Sequence, residues 1–503
     1  MKPRTSKLLM LVCFLPLVAY CLIESGRAQD ANGSAKREIP KTWDDEALAT
    51  LDVPLADHGV KLRHADASFY YQIPARTILK SYPVYAPGKE PPGYMEWLKQ
   101  QEPQVIFDAS KLVTDEDWIK AGELIFDAPI TRNALGPVED VRDPSWYQKL
   151  SIPIAKDGTV PFLRYTIRRK GLVEVGSFSC AMCHSRVMPD GSVIKGAQGN
   201  FPLDRVLAFN YRTRLKPDIV HMVSKQLFAT PWLKNDPHAR LGDMPVEQII
   251  AAHDAIPPGV MTRFGTSVFY PPQVPDLIGI KDRRYLDHTG LVRHRTIADL
   301  MRYSAINQGA DIMDRFGDFT PIGTVPESRF LVRYSDEQLY ALATYLYSLK
   351  PPPNPNKFDS LAARGKKVFE QEGCTQCHTP PLYTNNKLTP AEGFEVPDEH
   401  RKLFDILPFS VGTDPNLAMS TRRGTGYYKV PSLKGVWYRG PFEHNGSVAT
   451  LEDWFDPRRL KDDYVPTGFR GAEVKSRAVK GHRFGLNLSA KDRSALIAFL
   501  KTL

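Results

Sequence analysis

The sequence predicts a mainly α protein built as two similar halves with long loops, preceded by an irregular N-terminal extension. Three observations predict it. The pattern Cys-x-x-Cys-His occurs twice, at Cys180-Ala181-Met182-Cys183-His184 and at Cys374-Thr375-Gln376-Cys377-His378. A longer segment repeats without a gap at an offset of 156. Its first copy runs from Val274-Pro275-Asp276-Leu277-Ile278-Gly279-Ile280 through Arg283 to Asp287-His288-Thr289-Gly290. Its second runs from Val430-Pro431-Ser432-Leu433-Lys434-Gly435-Val436 through Arg439 to Glu443-His444-Asn445-Gly446. Finally, Ser335 to Leu349 and Ser489 to Leu503 match at an offset of 154, each with apolar residues at helical spacing behind a Ser N-cap.

In chain order, residues 1–28 have the make-up of a secretory signal peptide. Lys2, Arg4 and Lys7 precede an apolar run from Leu8 to Ile23, and Gly26-Arg27-Ala28 puts small residues at the two cleavage positions. The run is short for a retained membrane span, and bulky Tyr20 stands where a lipid-anchored Cys21 needs a small neighbour. The expectation is an exported bacterial protein, periplasmic or secreted, with no integral membrane segment once the signal is removed. The signal carries Lys2, Arg4, Lys7 and Arg27 against Glu24, a net +3, which leaves +6 of the formal +9. That modest excess predicts no nucleic-acid partner and leaves an acidic electron donor or an anionic surface open.

Residues 29–113 are rich in Pro and charge without a sustained period, and read as an extension wrapping the body. The first long helix is predicted from Asp115 to Phe126, with Thr114 as N-cap. Its end, Gly122-Glu123-Leu124-Ile125-Phe126, resembles Gly365-Lys366-Lys367-Val368-Phe369 ahead of the second motif. Cys374 follows five positions after Phe369, but Cys180 follows 54 positions after Phe126, so the first half carries an inserted loop. Pro351-Pro352-Pro353-Asn354-Pro355-Asn356 is a stiff linker. The predicted domains are therefore 114–350 and 357–503, joined by 351–356.

Cys-x-x-Cys-His is the attachment signature of c-type haem: two thiols reach two vinyl groups of one porphyrin, and the adjacent His ligates the iron from the proximal side. One copy alone could be a zinc half-site or a redox pair; two copies in an exported chain favour haem. Of six cysteines, Cys13 and Cys21 fall in the signal, which leaves Cys180, Cys183, Cys374 and Cys377 with none spare for a disulfide or a tetrahedral zinc site. The sequence thus predicts two covalently bound haem c groups, with His184 and His378 as proximal iron ligands. Helix, haem motif, loop ending in His-x-Gly and closing helix is the order that a class I cytochrome c fold needs.

The halves differ where a second axial ligand belongs. At an offset of 154, Arg329-Phe330 falls on Arg483-Phe484, preceded by Ser328 in one half and His482 in the other. Iron with a second strong ligand suits electron transfer; iron without one can bind a small oxidant. His482 is accordingly expected as the distal ligand of the second haem, with Met419 and His444 as rivals, and the first haem is expected open. His288 and His444 share one slot and are either both ligands or both scaffold for the His-x-Gly turn, the latter being favoured. His288 could also act as an acid–base group near the first haem, and Tyr303 is a second candidate there. The remaining histidines, His58, His64, His221, His238, His253, His294 and His400, show no pattern and are expected at the surface.

These motifs, from Phe126-Asp127 and Ser179-Cys180 to Pro431-Ser432-Leu433, Pro441-Phe442-Glu443-His444-Asn445-Gly446-Ser447 and Thr450-Leu451, resemble the bacterial dihaem cytochrome c peroxidase superfamily over roughly residues 114–503. Gly435-Val436-Trp437 and His444-Asn445-Gly446-Ser447-Val448 most resemble its rubber-oxygenase branch. Where the peroxidases usually have Trp-Asp-Gly, this chain has His288-Thr289-Gly290. The resemblance implies one haem open to peroxide or dioxygen and another that passes or stores electrons, supplied by a redox partner protein or a small donor. The alternative is a dihaem electron carrier with no substrate of its own.

Overall fold

Two crossed helix pairs carry the fold. A computed structural model describes residues 37–321, 323 and 327–503; the predicted signal peptide, with Cys13 and Cys21, lies outside them. Pro40–Leu503 forms one compact unit; of the separate Met1–Ile39 unit only residues 37–39 are described. Helix α1 (Asp115–Asp127) starts at a capping box in which Thr114 and Asp117 exchange side-chain and backbone hydrogen bonds, with acidic residues throughout its first turn. Helix α2 (Asp336–Ser348) starts at the predicted Ser335 cap, closed by Gln338. Helices α3 (Ser360–Gln371) and α4 (Ala490–Lys501) are capped by Asp359 and Ser489.

Helix α1 crosses α2, and α3 crosses α4, by the same device. A Cβ on Gly122 would lie 2.0 Å from the Ala341 carbonyl oxygen, and one on Gly365 would lie 1.9 Å from that of Ala495. Only glycine lets the two backbones meet so closely. Phe126 then packs on Tyr345, and Phe369 on Phe499, each at 5.3 Å between ring centres. These partners obey the sequence offset, since Ala341 corresponds to Ala495 and Tyr345 to Phe499.

The extension and the insertion are more ordered than their composition suggests. Strands β1 (Ser81–Tyr85), β2 (Thr131–Arg132), β3 (Thr159–Arg169) and β4 (Leu172–Ser177) make an antiparallel sheet in the order β1-β3-β4-β2, with Ser81 opposite Thr166 and Tyr165 opposite Val175. The insertion is therefore not a loop but a folded unit, with strands β2, β3 and β4 and the short helices Val138–Val141 and Pro144–Leu150, and the extension supplies one edge of its sheet. Tyr82, Val84, Phe162, Tyr165 and Val175 pack with Met182 in one core, and β4 ends three residues before Cys180. The sheet thereby fixes the entry to the first motif. A second unforeseen group, helices Leu203–Thr213, Pro217–Phe228 and Val246–Asp254, surrounds its own apolar cluster.

Most histidines expected at the surface are buried instead. His64, from the extension, sits between Asp52 and Asp314 at 2.7 Å from each. Burial opposes its charge, but the two carboxylates raise its pKa well above the usual value. His253 meets Asp204 at 2.7 Å, His238 meets Ser267 at 2.7 Å, His294 meets Tyr347 at 2.7 Å and His400 meets Tyr427 at 2.9 Å. His58 is exposed and His221 half-buried. The buried ones are affordable because each finds a polar partner, and those partners lie far away in sequence.

Candidate haem-attachment sites

The first motif forms a short helix, Cys180–His184, whose N-terminus is capped by the Ser179 side chain accepting from Met182 N. His184 donates from Nδ1 to the Pro275 carbonyl at 3.0 Å. The second motif begins as a 3-10 turn, Cys374–Gln376, entered through Gly373 in the left-handed region. His378 Nδ1 lies 3.2 Å from the Tyr383 carbonyl, and the Pro431 carbonyl also hydrogen-bonds this ring. Pro275 and Pro431 are equivalent in the repeat, so the same prolyl carbonyl orients both histidines. A histidine held at Nδ1 in this way directs Nε2 to a metal. Burial lowers both imidazoles to about 4, outweighing the carbonyl bonds, so each is the neutral, ligating form at neutral pH. Burial likewise pushes the Cys180, Cys183 and Cys374 thiols up to about 12.

A cavity of about 260 Å³ opens at the second motif, lined by Cys374, Cys377, His378 and, opposite, His482. The His378 and His482 ring centres are 6.3 Å apart. That gap lets two imidazoles each place a nitrogen about 2 Å from one metal between them. The backbone of His482 is held in an uncommon left-handed conformation, φ 42°. Buried Arg459 secures it by donating to the carbonyls of Val479, Gly481 and His482 at 2.7, 3.0 and 2.7 Å. Trp454 and Phe484 pack on the ring at 5.2 and 5.5 Å, and its buried Nδ1 has no hydrogen-bond partner among the described residues. Burial, then His378, lowers His482 to about 4. Thiols, paired imidazoles and an apolar wall including Leu433, Val436 and Leu496 fit a haem at this site.

The rival ligand His444 is differently engaged. Its Nδ1 meets Glu443 at 2.5 Å and its ring stacks on Tyr428 at 4.4 Å. Burial opposes protonation, yet Glu443 raises its pKa. Met419 ends a short helix, Asn416–Met419, and packs with Leu417, Ala418 and Tyr428. His288 donates from Nε2 to Gln273 O at 2.6 Å, and burial, then Lys429, lowers it to about 4. It lines the cavity at the second motif, together with His444. Both turns are built alike: Asp287 and Glu443, at φ 71° and 73°, each accept the amide N–H of the following His at 2.7 Å.

Ser328 opens a 3-10 turn, Ser328–Phe330. Among the described residues no second histidine faces His184 as His482 faces His378. The first motif instead adjoins a largely buried ionic cluster, of which only Asp287 lies in the repeat. Arg263 pairs with Asp287, which accepts from Tyr303 Oη at 3.1 Å and from Arg423 at 3.3 Å; Arg423 also reaches Asp311 at 2.9 Å. Burial opposes ionisation of Asp287, but Arg263 and Arg423 hold its carboxyl well below the usual range. Asp311 is raised to about 6 by burial, despite Arg423. Arg263 acts on Cys183 and His184 electrostatically, and Gln308, three residues before Asp311, donates to Cys180 Sγ at 3.1 Å.

No family model matches the chain. Curated relatives do, among them the cytochrome-c peroxidase IdrP2 of Denitromonas iodatirespirans, 26% identical over 156 residues, and the cytochrome-c peroxidase IdrP1 of Pseudomonas sp. (strain SCT), 28% identical over 167 residues. The matches cover 28% and 29% of this chain, and the chain spans 38% and 41% of the length of those relatives. A solved MauG-like protein associated with microbial copper homeostasis matches 64% of this chain and 92% of its own, at 16% identity and a TM-score of only 0.30. Over the matched segments the chain is thus similar to cytochrome-c peroxidases, the likeness to a dihaem peroxidase-like superfamily that its two Cys-x-x-Cys-His motifs lead one to expect. Among the described residues no helix is long and apolar enough to cross a membrane.

Proposed function

We propose that the chain is an exported dihaem oxidoreductase of two tandem class I cytochrome c-like domains, 114–350 and 357–503. A haem held at His184 would react with peroxide or dioxygen, and one held at His378 would relay electrons. The observation that carries this reading is the pairing of His378 with His482 at 6.3 Å, set against Ser328 at the corresponding place in the first half. Bound haem iron supplies electron exchange when two strong ligands hold it, and oxidant binding when one position is free.

In this reading the chain's own residues have distinct tasks. The Pro275 and Pro431 carbonyls fix the rings of His184 and His378. Arg459 locks His482 opposite His378. Tyr303, hydrogen-bonded to Asp287 and next to Arg263, is the acid–base candidate at the first motif. His288, whose Nε2–H is committed to Gln273 O, serves the His-x-Gly turn. Reduction of hydrogen peroxide to two waters consumes two electrons and two protons, so a redox partner or a small donor must supply the electrons. A donor docks from outside the membrane if residues 1–28 act as the export signal.

Stopped-flow mixing of fully reduced protein with hydrogen peroxide, and separately with dioxygen, tests the proposal. Fast reoxidation by one of them, blocked by cyanide, is expected. Slow reoxidation insensitive to cyanide with both would leave the electron carrier as the function.

A further inference from the structure

The charge on the wall of the cavity at Cys374 and Cys377 is not balanced by the protein. Arg283, Lys429 and Arg439 line it, as do Asp276 and Glu443. Glu443 is committed to His444 through Nδ1 and the amide, at 2.5 and 2.7 Å. Asp276 accepts from Tyr438 Oη at 3.1 Å and from Ile278 N at 3.2 Å. Neither arginine is paired with a carboxylate side chain. Arg283 donates to the carbonyls of Asp276 and Ile278, and Arg439 donates to the carbonyl of Ser432 at 2.8 Å, with its buried Nε unpartnered. Among the described residues no ion pair forms at Arg283, Lys429 or Arg439. Three cations against the single uncommitted carboxylate of Asp276 leave an excess of two positive charges. The three cations are part-buried around the cavity, and cations gathered on one wall without counter-ions repel one another and are poorly solvated there, so such a wall favours a ligand that brings about two negative charges.

Resting on the haem reading above, we infer that Lys429, Arg283 and Arg439 form a cradle for the two propionate carboxylates of the porphyrin attached at Cys374 and Cys377. The porphyrin brings the required two negative charges on its own frame. The cradle draws on both halves: Arg283 and Arg439 are equivalent at the offset of 156, and the counterpart of Lys429 is the uncharged Gln273. The repeat therefore supplies the lysine once. Burial, followed by Arg283, lowers Lys429 to about 7, a strain that carboxylates within reach would relieve. A positive group beside a haem also favours the ferrous over the ferric state. The lysine thus makes the haem on His378 easier to reduce.

The experiment uses the full-length holoprotein. Covalent haems are counted by mass, and both midpoint potentials are measured by spectroelectrochemistry in wild type, Lys429→Gln, Lys429→Met and Lys429→Arg. Glutamine is the residue that the fold already carries at the equivalent position, so Lys429→Gln tests charge with little change of shape; Lys429→Met is the second neutral variant. Two haems should remain attached. The low-spin haem's potential should fall in both neutral variants, by more than the first haem's, and return in Lys429→Arg. Unchanged potentials with both haems attached would overturn the cradle and leave the haem reading standing. Absence of haem at Cys374 and Cys377 in the wild type would overturn both. A wild-type potential that moves on adding inorganic phosphate would show that a free anion, and not the porphyrin, fills the cradle, and would also overturn it.

Discussion

The two Cys-x-x-Cys-His sites have the same proximal side and different surroundings. At both, a prolyl carbonyl from the same place in the repeat holds the histidine, and a glycine-mediated helix crossing lies nearby. At the second site a histidine, locked by a buried arginine, faces the proximal ring across a lined cavity. At the first site, Ser328 stands at that position, and a network of Arg263, Asp287, Tyr303, Arg423 and Asp311 lies alongside. On the proposed function, the difference shows how a duplicated scaffold would divide labour: the residues that would hold a haem are kept, and those that would decide what its iron can do are changed.

The largest effect should come from removing one site outright. Cys374→Ala with Cys377→Ala should cost one covalent haem by mass and leave the first attached; loss of both would break the picture of two sites on one repeated scaffold. Next, His482→Ala should turn the low-spin haem high-spin, or let it recruit another ligand, and shift its potential, with little change at the first haem. If His444→Ala does this instead, the His-x-Gly histidine is the ligand.

The helix crossings sharpen the comparison at lower energy. Gly122→Ala and Gly365→Ala each force a Cβ against a carbonyl, and each should destabilise by about 1–3 kcal/mol, read as a lower denaturation midpoint. Similar costs at the two positions support equivalent crossings; a neutral Gly365→Ala would break the equivalence. The smallest effect concerns the extension. Because the folded pKa of His64 is raised, its contribution is complete below the unfolded value near 6.5, declines as pH rises above it and is lost above the folded pKa. Protection of residues 45–70 in hydrogen exchange, corrected for the intrinsic pH dependence, should weaken over that window, and His64→Asn should remove the trend.

How much of this the sequence discloses depends on the range of the interaction. Thr114, Ser335 and Ser489 were readable as caps because capping spans three or four residues. His482 stood out because its counterpart in the repeat is serine. The sheet was hidden: Ser81–Tyr85 finds its partner near residue 165, and its Pro-rich context masks the alternation. Buried His64 and His253 were invisible for the same reason, since Asp314 and Asp204 lie 250 and 49 residues away. Lys429 and Arg263 carry no motif, and only the packed structure reveals which charged groups surround them.

The proposed asymmetry between the two irons is tested most directly by the electron paramagnetic resonance and optical spectra of the purified protein. One low-spin and one high-spin haem are expected, with cyanide converting only the high-spin signal. Two low-spin haems that bind no cyanide, both in the resting protein and after one-electron reduction, would contradict it.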